Sequence, residues 1–96
     1  MDELQQLQDW YASQCNEDWE HTFGVKIDTL DNPGWTIKVD LGGTPLEGKI
    51  LAYTLNDRSE HDWIGASSDG TTFEAAGGPL NLRDLVEAFS RFANPS

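Results

Sequence analysis

Two histidines flanked by carboxylates are the first residues in this 96-residue chain whose types suggest chemistry. His21 follows Glu20, and His61 lies between Glu60 and Asp62. If the strands that carry them were neighbours, these side chains could bind a metal ion or act as an acid–base pair. Their spacing matches no motif with ligands at fixed intervals. We therefore expect surface histidines, with no metal and no other cofactor.

The single cysteine and the two glycine pairs are the remaining candidates for chemistry. Cys15 has no basic neighbour in sequence to activate it, and it falls on an apolar helical stripe, so we interpret it as a buried structural thiol. Gly42-Gly43 and Gly77-Gly78 lack the lysine and the strand-to-helix arrangement of a phosphate-binding loop. The sequence therefore predicts no catalytic residues, and the protein is not expected to be an enzyme.

Aromatic residues among acids suggest protein binding instead. The chain has four tryptophans, more than a small core needs, and tryptophan is enriched at the energetic centres of interfaces. Trp19 and Trp63 both stand among acids; such rings could anchor a basic protein surface or could seal the edges of a sheet. The candidate partner-binding residues are Glu17, Asp18, Trp19, Glu20, Asp57, Glu60, Asp62 and Trp63.

The charge of the chain restricts its partners. Seventeen acids against six bases give a formal net charge of −11, which argues against nucleic acid and against anionic membranes. The same charge favours encounter with a basic protein, although it could also serve only to keep a small protein in solution. We expect residues 1–96 to form a single domain with one modest core.

The compartment follows from what the sequence does not contain. The opening residues, MDELQQLQD, are acidic and polar, unlike a signal peptide. No apolar run approaches the roughly 20 residues that a membrane span needs. One cysteine allows no disulfide within the chain. We therefore expect a cytoplasmic protein.

A β-hairpin over residues 18–41 is the strongest structural pattern, because apolar and polar residues alternate on both sides of a turn signal. Asn32-Pro33-Gly34-Trp35 predicts a turn with proline second and a positive-φ glycine third. The strands are predicted over about 20–28 and 35–41. The predicted register pairs Ile27 with Trp35, Val25 with Ile37 and Phe23 with Val39.

Three further strands are predicted over about 49–56, 62–67 and 71–75, with a tight hairpin at Ser68-Asp69-Gly70. The first of them contains a continuous apolar run, which favours a central strand covered on both sides. We expect its larger residues, Leu51, Tyr53 and Leu55, on the core face. Tight connections between successive strands indicate an antiparallel meander.

Two amphipathic helices are predicted at the ends of the chain. The first covers residues 2–15 with an apolar stripe and ends at Asn16; the second covers 82–93, begins after the N-cap Asn81 with Asp84 nearby, and ends at Asn94-Pro95. The expected stripes are Leu4, Leu7, Tyr11 and Cys15, and Leu82, Leu85, Val86, Phe89 and Phe92. The predicted fold class is α+β: an antiparallel meander of about five strands with both helices packed on one face.

Several segments together resemble the immunity protein 53 family of bacterial polymorphic toxin systems. They are the run DWYASQCNEDWEHTFGVKIDTLDNPGW, the pair Asp62-Trp63, Phe73-Glu74-Ala75, Gly77-Gly78-Pro79-Leu80 and the closing LxxLVEAF helix. The marks of the family are an Asp-Trp-Glu motif, here Asp18-Trp19-Glu20, and the turn segment IDTLDNPGW, here residues 27–35. The similarity covers nearly the whole chain.

The resemblance implies an immunity protein that protects its bacterial producer by binding a cognate toxin domain. Many such toxins are nucleases with basic clefts, and the acidic groups of this chain suit a cleft of that kind. Two other readings stay open. One is an acidic interaction module or homodimer, joined through a sheet edge or an exposed tryptophan. The other is a small metal protein that uses His21 and His61.

Overall fold

The computed structural model describes residues 2–94 of the chain. Along the chain, one helix precedes and another follows the strands of a five-stranded antiparallel sheet. This architecture confirms the predicted α+β class. Apolar residues from both helices and from one sheet face share a single core, so both helices pack on that face. The elements are α1 (Glu3–Gln14), α2 (Trp19–Thr22), β1 (Val25–Leu30), β2 (Gly34–Asp40), β3 (Ile50–Ser59), β4 (Asp62–Asp69), β5 (Thr72–Gly77) and α3 (Leu82–Ala93).

The strand order is β1-β2-β5-β4-β3, so the predicted meander is wrong in its connectivity. β1–β2 and β3–β4–β5 are hairpin-connected neighbours, but β2 is followed by a crossing to the far edge. Residues 41–49 make this crossing, which spans three strand spacings, about 14 Å. The glycine-rich composition of this segment indicates turns, and turns alone do not distinguish a tight connection from a crossing.

The β1–β2 hairpin forms where it was predicted, but its register is two residues different. Val25 lies opposite Val39 and Ile27 opposite Ile37. The turn is made by residues 31–33, and Gly34 already belongs to β2. β1 begins at Val25 because residues 19–22 form the short helix α2. A shift of two residues keeps every side chain on its predicted face, since side chains alternate with a period of two.

β3 is an edge strand and not a central one, which corrects the sequence-based expectation. Its register with β4 shifts between Leu51 and Thr54, where β3 carries one extra residue. Such a bulge inverts the alternation of side chains beyond it. Leu51 therefore stays on the core side, whereas Tyr53 and Leu55 are exposed at 65% and 53%.

The core lies between α3 and the sheet. The predicted stripe of α3 is buried at four of its positions, Leu85, Val86, Phe89 and Phe92. Phe89 contacts Phe73 of β5 with ring centroids 5.3 Å apart, and Trp10 of α1 lies 5.0 Å from Phe89. These edge-to-face aromatic contacts join α1, α3 and β5 within the core.

α1 turns a different face inward from the one predicted. Leu7 is buried and Trp10 packs on the core, but Leu4 is 63% exposed and Tyr11 is exposed as well. Cys15 is only partly buried. The contact with α3 selects Leu7, which belongs to the predicted stripe, and Trp10, which lies beside it.

The helix ends differ in detail from the sequence patterns. Asp2 caps α1 by accepting a hydrogen bond from the amide of Leu4. α1 ends at Cys15 in an extended conformation, and Glu17, not Asn16, adopts positive φ. α3 begins after Asn81 as predicted, and Pro95 lies outside the described residues. Within residues 2–94, no helix is long and apolar enough to cross a membrane.

Candidate partner-binding surface

The eight predicted partner-binding residues fall into two groups at opposite ends of the sheet. Trp19 bonds to Gly42, just beyond the end of β2. Trp63 precedes Ile64, which pairs with Gly77 beside the start of β2. The length of β2, about 23 Å, separates the two ends. The structure therefore does not bring the two acidic groups together into one surface.

Trp19 lies in the interior, only 5% exposed. Its Nε1 donates a hydrogen bond of 2.8 Å to the carbonyl oxygen of Gly42. Its ring lies edge-on to Trp10 and Tyr11, with centroids 6.1 Å and 6.0 Å away. Trp19 thus seals the end of the fold, which is the second of the two roles considered from the sequence.

The acids around Trp19 differ in whether their carboxylates are available to bind a partner. The carboxylate of Glu20 accepts hydrogen bonds from the amides of Asn16, at 2.9 Å, and Glu17, at 2.8 Å. Backbone amides, first its own and then those of these two residues, hold the pKa of Glu20 below its usual value. Glu20 therefore orders the loop, while Glu17 and Asp18 are exposed to solvent.

Asp62 is also occupied within the molecule. Arg58 donates two hydrogen bonds to its carboxylate, from Nε at 3.0 Å and from Nη2 at 2.6 Å. Asn81 Nδ2 adds a third at 3.0 Å. These bonds, led by that of Arg58, lower the pKa of Asp62. Its charge is locally compensated, so Asp62 fastens the β3–β4 hairpin to the start of α3.

Asp57 and Trp63 lie directly opposite each other on β3 and β4. Their side of the sheet faces away from the helices, since Leu55 and its partner Gly65 are on the same side while Thr54 and Ala66 face the core. Glu60 is exposed in the turn that joins the two strands. We define the β3–β4 surface as Tyr53, Leu55, Asp57, Glu60 and Trp63.

Sequence analysis did not find Tyr53 and Leu55 as surface residues. The phenol ring of Tyr53 lies over Gly65, whose missing side chain leaves room for it. The signal for a surface position was the poor alternation between residues 50 and 55, which is typical of a strand with a bulge. The bulge adds two exposed apolar side chains to the acids and the tryptophan.

The two histidines are far apart. β1 and β4 are not neighbours, and His21 lies in α2 while His61 lies in the β3–β4 turn at the other end of the sheet. Within the described residues, no three His, Cys, Asp or Glu side chains are grouped in a way that could hold a metal ion. The geometry does not assemble the histidine site that was considered from the sequence.

The comparisons with known proteins agree with the motifs. A family model described as Immunity protein 53 matches residues 4–94, nearly the whole chain. Searches of curated proteins and of solved structures returned no match. The matched range includes both acidic groups and all the helices and strands except the first residue of α1.

Proposed function

Since this chain belongs to the immunity protein 53 family and is therefore an immunity protein, we propose that it neutralises one cognate toxin domain of a polymorphic toxin system by binding it. The proposed contact is the β3–β4 surface, and the proposed compartment is the cytoplasm of the producing bacterium. The acidic group at residues 17–20 is left outside the contact, because Trp19 is buried and Glu20 is bonded to backbone amides.

The combination of residues on the β3–β4 surface is the observation that carries this proposal. Tyrosine and tryptophan dominate the energetics of protein interfaces, because their large rings bury much area with few rotatable bonds. Tyr53 is 65% exposed beside Trp63 on a face that no helix covers. Asp57 and Glu60 border these rings as exposed acids. An apolar centre with a charged rim is the usual arrangement of a specific interface.

The charge of the chain favours a basic toxin. With a net charge of −11, the molecule repels acidic proteins and attracts basic ones, which raises the rate of encounter. A nuclease domain is the candidate class, because its substrate cleft must attract phosphates. Exposed carboxylates such as Asp57 and Glu60 would then occupy positions that phosphates take in the substrate.

The proposed mechanism is occupancy, with no covalent step. One immunity protein covers one toxin domain for as long as the complex lasts, so protection depends on slow dissociation. This mechanism predicts that inhibition is stoichiometric, whereas an enzyme that modified the toxin would act on many copies in turn.

A titration of toxin activity tests the proposal. The genes next to that of this chain are first searched for a large secreted protein, and the probe is its C-terminal domain, assayed for its own activity with increasing immunity protein. We expect activity to fall linearly and to vanish near equimolar protein, with a complex that co-elutes in gel filtration. Full inactivation by a small fraction of an equivalent, or no complex at all, would contradict the proposal.

A further inference from the structure

The two edges of the sheet differ in how they are protected against pairing. β3 has register shifts at two places, and bulges are a device that blocks edge pairing. β1, the other edge, pairs with β2 in an unbroken register from Val25 to Leu30. Its residues 26–29 are exposed. A regular, uncovered edge of this kind is able to accept another strand.

The free backbone groups of β1 can be assigned from its pairing with β2. Asp40 donates its amide to the carbonyl of Gly24 at 3.1 Å, so these two residues form a hydrogen-bonded pair. Such pairs alternate along an antiparallel ladder. Val25, Ile27 and Thr29 therefore direct their N–H and C=O groups away from β2, towards the open edge.

We infer that a second copy of this chain pairs with β1 in antiparallel fashion about a two-fold axis at Ile27, joining two sheets into one. Ile27 then lies opposite Ile27 of the second copy, and Val25 lies opposite its Thr29. These are the residues whose backbone groups face outward, so the register satisfies both strands. This inference goes beyond the proposed function and does not depend on it.

Local charge complementarity at β1 favours a second copy as the occupant, against the general repulsion between two chains that each carry a net charge of −11. In this register Lys26 lies opposite Asp28 of the second copy, and the two-fold axis generates the same pair twice. Both side chains are exposed on the face away from the helices. Among the described residues neither takes part in an ion pair. Opposite charges directly across a strand pair are stabilising, and like charges are destabilising.

Apolar side chains beside this edge would be covered by the second copy. An open groove of about 410 Å³ lies between α1 and the start of β1, and Leu4, Tyr11 and Val25 are among its lining residues. A second groove of about 290 Å³ continues past Leu4 to Ile27. Leu4 and Ile27 are 63% and 43% exposed, so neither side chain is buried in the core of the chain. Burying them stabilises association in proportion to the apolar area removed from water.

The opposite edge stays free in this dimer. β3 is the far edge of each sheet, so both β3–β4 surfaces face outward at the two ends of the joined sheet. Each dimer could therefore hold two toxin domains.

Charge reversal at β1 tests the inference. The oligomeric state is measured by sedimentation equilibrium at concentrations up to about 100 μM. We expect the wild type to reach twice the chain mass of 10.7 kDa. Asp28→Lys sets lysine opposite lysine twice and should weaken dimerisation by about tenfold or more. Lys26→Glu should do the same, and the double variant Lys26→Glu/Asp28→Lys, which restores opposite charges, should recover the dimer.

Asp57→Lys is the matched control, because it makes the same change of charge at the β3 edge. Both single lysine variants reduce the net negative charge, so general repulsion alone predicts tighter association for each. Only the β1 pairing predicts that Asp28→Lys dissociates while Asp57→Lys does not. In the wild type, hydrogen exchange should protect the amide of Ile27. A monomeric wild type, an unchanged dimer in Asp28→Lys, or no recovery in the double variant would overturn the inference.

Discussion

At the scale of single residues, glycines serve close approach as well as turns. Gly34 was predicted to supply a positive φ, but it lies in β2, and a Cβ atom there would overlap the backbone carbonyl oxygen of Gly77. Gly65 also has a close neighbour, yet that neighbour is the phenol end of Tyr53, an exposed side chain. Backbone cannot move away cheaply, whereas a side-chain tip can.

Alanine substitutions at these two glycines should therefore differ in how much they lower the free energy of unfolding. Gly34→Ala should lower the free energy of unfolding by about 1–3 kcal/mol, because β2 and β5 must separate locally. Gly65→Ala should change it by less than about 1 kcal/mol, because the Tyr53 ring can rotate aside. Urea denaturation of both variants measures the difference. Equal costs would contradict the assigned role of Gly34.

The hydrogen bonds between Arg58 and Asp62 should control the pKa of Asp62. The folded-state pKa of Asp62 is lowered, first by the hydrogen bonds of Arg58 and then by Asn81. A lowered folded pKa gives stability that is present above the unfolded value of about 3.9 and is lost as the pH falls through the folded value. Arg58→Gln should raise the pKa of Asp62 towards 3.9, as followed by NMR titration of its carboxyl carbon.

Asp69 is the internal control for that titration. Its pKa is also lowered, by the amides of Thr71 and Thr72 and by the Thr71 hydroxyl, and within residues 2–94 Arg58 forms its hydrogen bonds and ion pairs with Asp62 and Asp84 and none with Asp69. Its midpoint should be the same in both proteins. An unchanged midpoint for Asp62 in Arg58→Gln would show that the arginine does not govern its titration.

At the scale of elements, Asn81 joins α3 to the β3–β4 hairpin. Its side chain makes no N-cap bond, contrary to the sequence pattern. Nδ2 donates to Asp62 at 3.0 Å and to Asp84 at 2.7 Å, and Oδ1 accepts from the amide of Trp63 at 3.2 Å. The residue is 5% exposed, so its groups have little access to water. One amide group therefore links the start of α3 to this end of the sheet, in addition to the apolar contacts of the helix.

Removing the side-chain amide of Asn81 should lower the free energy of unfolding more than removing an exposed amide. Asn81→Ala is expected to lower the free energy of unfolding by about 2–3 kcal/mol, because three hydrogen bonds are lost at a buried position. Asn94→Ala, at the exposed end of the same helix, should change it by less than about 0.5 kcal/mol. Thermal and urea denaturation of the two variants provide the comparison, and similar values would rule out the bridging role.

The sequence predicted the elements that local periodicity defines better than those that depend on strand order. The α3 stripe and the faces of the β1–β2 hairpin follow from local periodicity, and the structure confirms both. The role of β3 depended on a bulge, whose local signal was poor alternation, and on strand order, which no local pattern encodes. For the same reason sequence analysis proposed Trp19 and Trp63 as equivalent, although one is buried and the other borders an exposed surface.

At the scale of the whole molecule, the net charge of −11 should appear in the kinetics of toxin binding. Opposite fields accelerate encounter, and salt screens them with a Debye length of about 8 Å at physiological ionic strength. The association rate constant for a basic toxin domain should therefore fall by about tenfold or more as salt is raised. Stopped-flow mixing measures it, and a rate that is independent of salt would contradict a basic partner.

The whole-molecule geometry also explains why only part of the candidate site was foreseeable. The residue types pointed to acids and tryptophans, but the separation of the two groups by the length of β2 is a property of the topology. That separation makes a matched experiment available, because two acids can be neutralised at either end of the sheet without altering the other.

The affinity of the toxin domain for three forms of this protein tests most directly whether the β3–β4 surface is the toxin contact. The forms are the wild type, Asp57→Asn/Glu60→Gln and Glu17→Gln/Asp18→Asn, and calorimetry at fixed salt gives each dissociation constant. We predict that Asp57→Asn/Glu60→Gln weakens binding by about tenfold or more, and that Glu17→Gln/Asp18→Asn, with the same net charge, stays within about threefold of the wild type. Strong weakening by the second pair with no effect of the first would contradict the β3–β4 surface as the toxin contact.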